Sequence, residues 1–175
     1  DRRGAALHVL LGGAIWAAVV VLSAAFYVHE KPHPPKEAPG EHLPLPTGEW
    51  KFGLFACLDE PRVCLLACCC APIRWADTMR MARFLTFWGA IFLFLLSIIL
   101  DATCMGLGTV VVCGFLVYYR QRLRKTFGIR SGDCQTVGED FFTYLLCCCC
   151  AVAQEARQIE EAYQARHPEV CPPRQ

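Results

Sequence analysis

The chain has 175 residues, of which 55% are hydrophobic, and a formal net charge of +1. That apolar share, with a positive mean hydropathy, excludes an ordinary soluble domain of this size and points to a membrane. The near-neutral charge, with no basic stripe interleaved with aromatics, excludes a nucleic-acid partner. Thirteen cysteines is a high and odd number, so at least one thiol is free or pairs outside the chain.

The first candidate element is residues 9–28, an uncharged apolar run of about the length that crosses a bilayer core. Arg2 and Arg3 precede it, and His29, Glu30 and Lys31 follow. Ser23, Ala24 and Ala25 resemble a signal-peptide cleavage site, but the length favours a retained span. Two further apolar runs cover residues 84–100 and 102–119. As one straight helix they would reach about 54 Å, well beyond a hydrocarbon core of about 30 Å. Asp101 sits at their junction, where a charge is costly in mid-membrane and cheap at a surface. A helical hairpin with Asp101 at the far surface satisfies both constraints. Gly106, Gly108 and Gly114 supply small residues for close helix packing, and Tyr118 and Tyr119 suit an interface.

Basic residues flank both ends of the hairpin: Arg74, Arg80 and Arg83 before it, and Arg120, Arg122, Arg124, Lys125 and Arg130 after it. Both ends are therefore expected on the inner side, with the N-terminus outside and the C-terminus inside. Residues 29–49 are rich in proline and read as a semi-rigid spacer. The spacer histidines His29, His33 and His42 read as solvated rather than as metal ligands. A cysteine-rich segment, residues 50–81, precedes the hairpin. After it come a polar turn at residues 131–140 and a helix from about Asp140 to Arg166, ended by His167 and Pro168. Its apolar stripe is Leu145, Cys149, Val152, Ala156, Ile159 and Tyr163. Arg157 and Glu161 lie four apart on its outer surface and are expected to pair weakly. The predicted fold is an all-α membrane protein. It has an N-terminal transmembrane helix (1–28), a linker (29–49) and an inner-side cysteine-rich domain (50–166). That domain contains the transmembrane hairpin (84–119) and is closed by the C-terminal helix (140–166); residues 167–175 form a tail.

Several spacings within residues 50–165 resemble the placenta-specific-eight family of cysteine-rich membrane proteins, which includes plant cell-number regulators and cadmium-resistance proteins. Trp50, Gly53 and Cys57 match its W-x-x-G-x-x-x-C, and the next family cysteine falls on Cys64. Its C-x-P-C is similar to Cys70-Ala71-Pro72-Ile73. The stretch KTFGI is similar to its R-Y-G-I turn, followed by Cys134. Its closing CC-x-x-C-x-x-CQ-x-x-R is similar to the stretch carrying Cys147, Cys150, Gln154 and Arg157. Ile73, Leu146 and Ala153 stand where the family has cysteines, and Cys68, Cys69, Cys148 and Cys149 appear instead. The resemblance implies that the two cysteine clusters meet, and that Cys57, Cys64, Cys70, Cys134, Cys147 and Cys150 form the structural set.

Eleven cysteines fall on the inner side, and Cys104 and Cys113 within the hairpin. The intramembrane pair is expected to pack as small apolar groups. For the others, four readings stay open. Zinc or an iron–sulfur cluster is compatible with Cys64-x₃-Cys68 and Cys147-x₂-Cys150. Disulfides among the six family positions, acylation near the interface, and simple packing are the alternatives. On a regular helix adjacent cysteines point about 100° apart, so Cys147 to Cys150 are not expected to serve one site together. Cys147 and Cys150 share a face and are expected to link to the Cys64–Cys70 segment as a covalent or ligand pair. Cys149 joins the apolar stripe.

No phosphate loop, nucleophile elbow or carboxylate pair appears, and His8, the linker histidines and His167 cannot be matched to a particular thiol. The expectation is a non-catalytic protein without a committed cofactor, in contact with lipid, zinc being the one metal considered. Three roles follow. The first is an accessory subunit of a larger organellar membrane complex, respiratory or photosynthetic. It would order the linker and termini, and it fits a processed N-terminus at Asp1; a plasma membrane is the alternative location. The second is an oligomeric zinc, cadmium or cation transporter, as the resemblance implies, with Asp101 at a pore mouth. The third is a regulatory module docking through Arg157, Glu160, Glu161 and Tyr163.

Overall fold

The computed structural model describes residues 2–30, 48–103, 106–165, 167 and 170. The predicted linker histidines His33 and His42, and Cys104, lie outside the described residues. Every regular element described is helical: α1 (Arg2–Glu30), a short 3-10 helix (Leu54–Asp59), α2 (Pro61–Cys69), α3 (Ala71–Met81), α4 (Phe87–Thr103), α5 (Leu107–Thr126) and α6 (Cys134–Gln164).

α3 is the hub. It packs on α4 and α6, and α1 leans on α3 and α4. Pro72 sits in the first turn of α3, where a missing amide hydrogen costs nothing. Trp75, 1% exposed, meets Phe94 and Tyr119 edge-on at 5.5 and 5.6 Å, a favoured aromatic geometry. Met79, Ile91, Leu123, Val152 and Ile159 complete the centre. α1 buries Val20 and Ala24, while Leu11, Ile15, Val19, Leu22 and Phe26 face outward. Tyr27 ties it to α3, its hydroxyl donating to Asp77 Oδ2 at 2.8 Å.

α4 and α5 pack against each other as a helical hairpin. Gly106 turns the chain with φ 90°, a left-handed conformation natural to glycine. Gly108 lets the helices touch: a Cβ there would stand 1.9 Å from the Ser97 carbonyl oxygen. Gly114 has open space instead, so it does not serve that packing. Asp101 has a specific task. Its carboxylate accepts from the Thr109 backbone N–H at 3.0 Å and from the Thr109 hydroxyl at 3.1 Å, satisfying orphan donors of the first turn of α5.

The last helix departs from expectation in two ways. It begins at Cys134 rather than Asp140, because the Asp133 side chain accepts from Thr136 N at 3.0 Å and caps it. It is also kinked: Cys147 has φ −149° and ψ 74°. Before the kink the apolar stripe fails, since Leu145 is 60% exposed; Val152, Ala156 and Ile159, beyond it, are buried as predicted. By length and composition, Leu11–Glu30 of α1 and all of α6 are apolar and long enough to cross a membrane, and Phe87–Asp101 is a shorter apolar helix. The first predicted span is thus matched by a helix of spanning length.

Candidate functional site

The site is assembled by the segment that follows the linker. Residues 50–57 run along the second half of α6 and are strapped to it by side chains. Gln154 donates to the Phe52 carbonyl at 2.7 Å, and Gln158 accepts from Lys51 N at 3.1 Å. Arg157 donates to the Ala56 carbonyl and lies 4.1 Å over the Phe52 ring. Lys51 pairs with Glu161. An irregular segment needs partners for its backbone groups, and the Gln154 and Arg157 side chains supply them. The strap ends by presenting Cys57 Sγ to Cys150 Sγ at 3.9 Å.

Around that contact the thiols converge. The kink brings Cys147, Cys149 and Cys150 together, with sulfurs all within 4.8 Å of one another. A regular helix would splay them apart; the kink brings three of the four adjacent cysteines together and leaves Cys148 outside the group. Cys147 and Cys150 form a disulfide, and Cys147 Sγ lies 3.6 Å from Cys149 Sγ. Burial pushes the Cys57 thiol up, and the adjacent Cys64 adds to it. The Cys68 thiol, hydrogen-bonded to Cys149, desolvated and adjoining Cys64, is pushed up to about 12. Desolvation and neighbouring thiols therefore disfavour a lone thiolate at Cys57 and at Cys68.

A tetrahedral zinc with bonds of about 2.3 Å places its sulfurs about 3.8 Å apart. The 3.9 Å Cys57–Cys150 and 3.6 Å Cys147–Cys149 separations fit that edge. With the Cys147–Cys150 pair reduced, Cys57, Cys147, Cys149 and Cys150 offer four sulfurs, and Cys64 and Cys68 adjoin them. All-sulfur donors suit zinc and other soft ions.

Beside the cluster lies a buried ionic network. Arg120, 2% exposed, donates to Asp140 at 2.8 Å, to Glu155 at 3.0 Å and to Gln154 at 2.5 Å, and sits 4.4 Å over Trp50. Arg124 also grips Asp140, and Tyr144 donates to Glu155 at 2.5 Å. Burial raises the Glu155 carboxyl above its usual range, against the pull of Arg120. Burial works against the Arg120 cation, but Glu155, Tyr144 and Asp140 more than offset it, and its pKa is raised. Because Gln154 is shared, this network and the strap are one assembly.

Of the predicted structural cysteines, Cys57, Cys64, Cys147 and Cys150 lie in or beside the cluster. Cys147 and Cys150 bond to each other instead of bridging to the Cys64–Cys70 segment. Cys70 faces α1 in a groove with Leu22, Phe26 and Leu66. Cys134 is exposed at the start of α6, about 20 Å along a helix from Cys147. Cys68, offered by the sequence only through the Cys64-x₃-Cys68 spacing, and Cys149, placed by it on the apolar stripe, lie in or beside the cluster; only the kink reveals Cys149. The candidate docking residues make contacts within the chain. Arg157 holds the strap, Glu161 pairs with Lys51 rather than with Arg157, and Glu160 pairs with Arg74 at 2.6 Å. Tyr163 packs half-buried against the core. Three of the arginines counted as inner-side flanks, Arg74, Arg120 and Arg124, are buried in ion pairs.

The strap, the thiols and the Gln154–Arg157 clamp fall within residues 50–158, the span matched by the PLAC8 family. The chain belongs to the PLAC8 family. It is 27% identical over 112 residues to cell number regulator 1 of Zea mays, covering 64% of this chain and 53% of that protein. It is 25% identical over 129 residues to the protein Plant Cadmium Resistance 10 of Arabidopsis thaliana, covering 69% and 66%. It is 27% identical over 138 residues to cell number regulator 5 of Zea mays, covering 71% and 72%. The chain thus spans about half to two thirds of the length of the first two relatives. No solved structure matches it. The PLAC8 region includes the whole hairpin, α4 and α5, so the hairpin is internal to the family domain.

Proposed function

We propose that this PLAC8 protein is a non-catalytic membrane protein whose thiol cluster binds a soft divalent ion, zinc or cadmium, on the inner side of the membrane. The observation that carries this reading is the convergence of Cys147, Cys149 and Cys150, with sulfurs within 4.8 Å of one another, and of Cys57, whose Sγ lies 3.9 Å from that of Cys150. Relatives named for cadmium resistance support the choice of metal. α1 and the α4–α5 hairpin are the spans, with the N-terminus outside. Supporting this, Trp88, Phe92, Ile99 and Val110 of the hairpin face outward beside the exposed apolar face of α1. Binding is favoured over conduction because Asp101, the one acid in the hairpin, is engaged in capping α5. His29 ends α1 exposed and His167 packs against Phe127 at 5.5 Å.

The test is cadmium titration of the reduced full chain in detergent, read by the ultraviolet band of cadmium thiolate. Cys57→Ser and Cys149→Ser are expected to lose most of the band, while Cys113→Ser and Cys134→Ser keep it. Reduced wild-type protein without the band would end this reading. Transport is tested separately, by zinc or cadmium flux into vesicles with Asp101→Asn as the comparison; no protein-dependent flux excludes it.

A second reading, as an accessory subunit of a larger organellar membrane complex, is favoured by Phe55, Leu58 and Leu65. These are 72%, 74% and 66% exposed on the 3-10 helix and α2, outside the proposed spans. Migration only as a small free species on a native gel after gentle solubilisation would remove it.

A further inference from the structure

The first half of α6 is inside out for a helix on a water-facing domain. Thr136, Asp140 and Tyr144, spaced four apart, are the residues it buries, at 2%, 0% and 4% exposure. They reach Gln121, Arg120, Arg124 and Glu155 by hydrogen bonds. Val137, Phe141 and Leu145, also four apart, point outward with Phe142 and Leu146, and exposure climbs to 81% at Leu146. Residues 141–153 contain no charged side chain. A helix bordering water shows the reverse order, with its apolar stripe turned inward. Polar-in and apolar-out suits a helix whose outer neighbour is hydrocarbon, where buried polar groups must find partners within the protein.

The direction of this face is fixed by a groove of about 840 Å³ between α5 and α6. One wall is Val110, Gly114 and Tyr118 of the hairpin, and the other is Val137 and Phe141. The outward face of α6 therefore looks to the same side as a hairpin wall. Exposed Arg122 and Lys125 stand at the base of that hairpin, placed for anionic headgroups.

We infer that residues 134–146 of α6 lie in the membrane surface, with Val137, Phe141, Phe142, Leu145 and Leu146 immersed in acyl chains and the kink at Cys147 returning the chain to the thiol cluster. The inference rests on the proposed membrane placement of α1 and the hairpin. It makes α6 a helix that lies on the bilayer rather than across it. It also sets the thiol cluster at the headgroup boundary.

The experiment places the full chain in vesicles of phosphatidylcholine and phosphatidylglycerol carrying a photoactivatable diazirine at the acyl-chain end. Labelled peptides are then mapped by mass spectrometry. Label is expected in residues 137–146 as well as in α1 and the hairpin. Phe141→Glu combined with Leu145→Glu is expected to lose the α6 label and keep the others. Label in α1 and the hairpin but not in residues 137–146 overturns this inference and leaves the membrane reading standing; a second copy or another protein covering the face gives that outcome. Absence of label from α1 and the hairpin overturns the membrane reading and this inference with it.

Discussion

Arg120 ties the two halves of α6 to α5. Its guanidinium joins Asp140, Gln154 and Glu155 from both sides of the α6 kink, a fork geometry that lysine does not reproduce. Arg120→Met leaves two buried carboxylates short of a partner, and removal of one member of such a group costs about 3–5 kcal/mol. Chemical denaturation in detergent is expected to show a loss of that size, with Arg120→Lys only partly restoring it. The two hairpin glycines make a second residue-scale contrast. Gly108→Ala drives a Cβ into the Ser97 carbonyl and is expected to lower the melting temperature, whereas Gly114→Ala enters open space and leaves it unchanged. Sequence marked both glycines alike, because a small residue looks the same whether or not another helix comes close.

At the scale of elements, α6 is decided by its cap, its kink and its clamp. The Asp133 carboxyl is held down at about 2 by its bonds to Thr136 and by Arg130. A depressed folded pKa gives stabilisation that is complete above the ordinary value near 3.8 and lost as pH falls towards 2. The melting-temperature gap between wild type and Asp133→Ala is therefore expected to be widest above about pH 4 and to narrow at lower pH. A gap independent of pH would show that the cap's charge is irrelevant. The clamp makes a separate prediction. Gln154→Ala with Arg157→Ala frees residues 50–57, so deuterium uptake rises in that strap and cadmium–thiolate absorbance weakens, with α4 and α5 unaffected. The family motif that contains Gln154 and Arg157 was legible in the sequence, but its task was not. Their partners are backbone carbonyls at Phe52 and Ala56, about a hundred residues away, and a side chain-to-backbone bond leaves no mark on the residues that accept it.

At the scale of the whole molecule, α1 is an addition outside the matched family region, leaning on the domain through Val20, Ala24 and the Tyr27–Asp77 bond. If the hairpin spans the bilayer by itself, a chain beginning at Gly48 is expected to stay with membranes through an alkaline wash. Its release would assign anchoring to α1 alone.

By itself, the sequence determined the helical class, the N-terminal apolar helix, the hairpin around Asp101 and the family. These follow from local composition, turn residues and spacing, which act over a few turns of chain. The tertiary structure alone decided the rest. A kink at one residue, Cys147, brings Cys147, Cys149 and Cys150 together, with Cys68 beside them, while Cys70 and Cys134 lie elsewhere. Arginines that read as flanking charges become internal struts, Arg157 and Glu161 hold the strap, and Glu160 pairs with Arg74. In each case the deciding partner lies far along the chain, and helical periodicity carries no information about which distant group a side chain will meet.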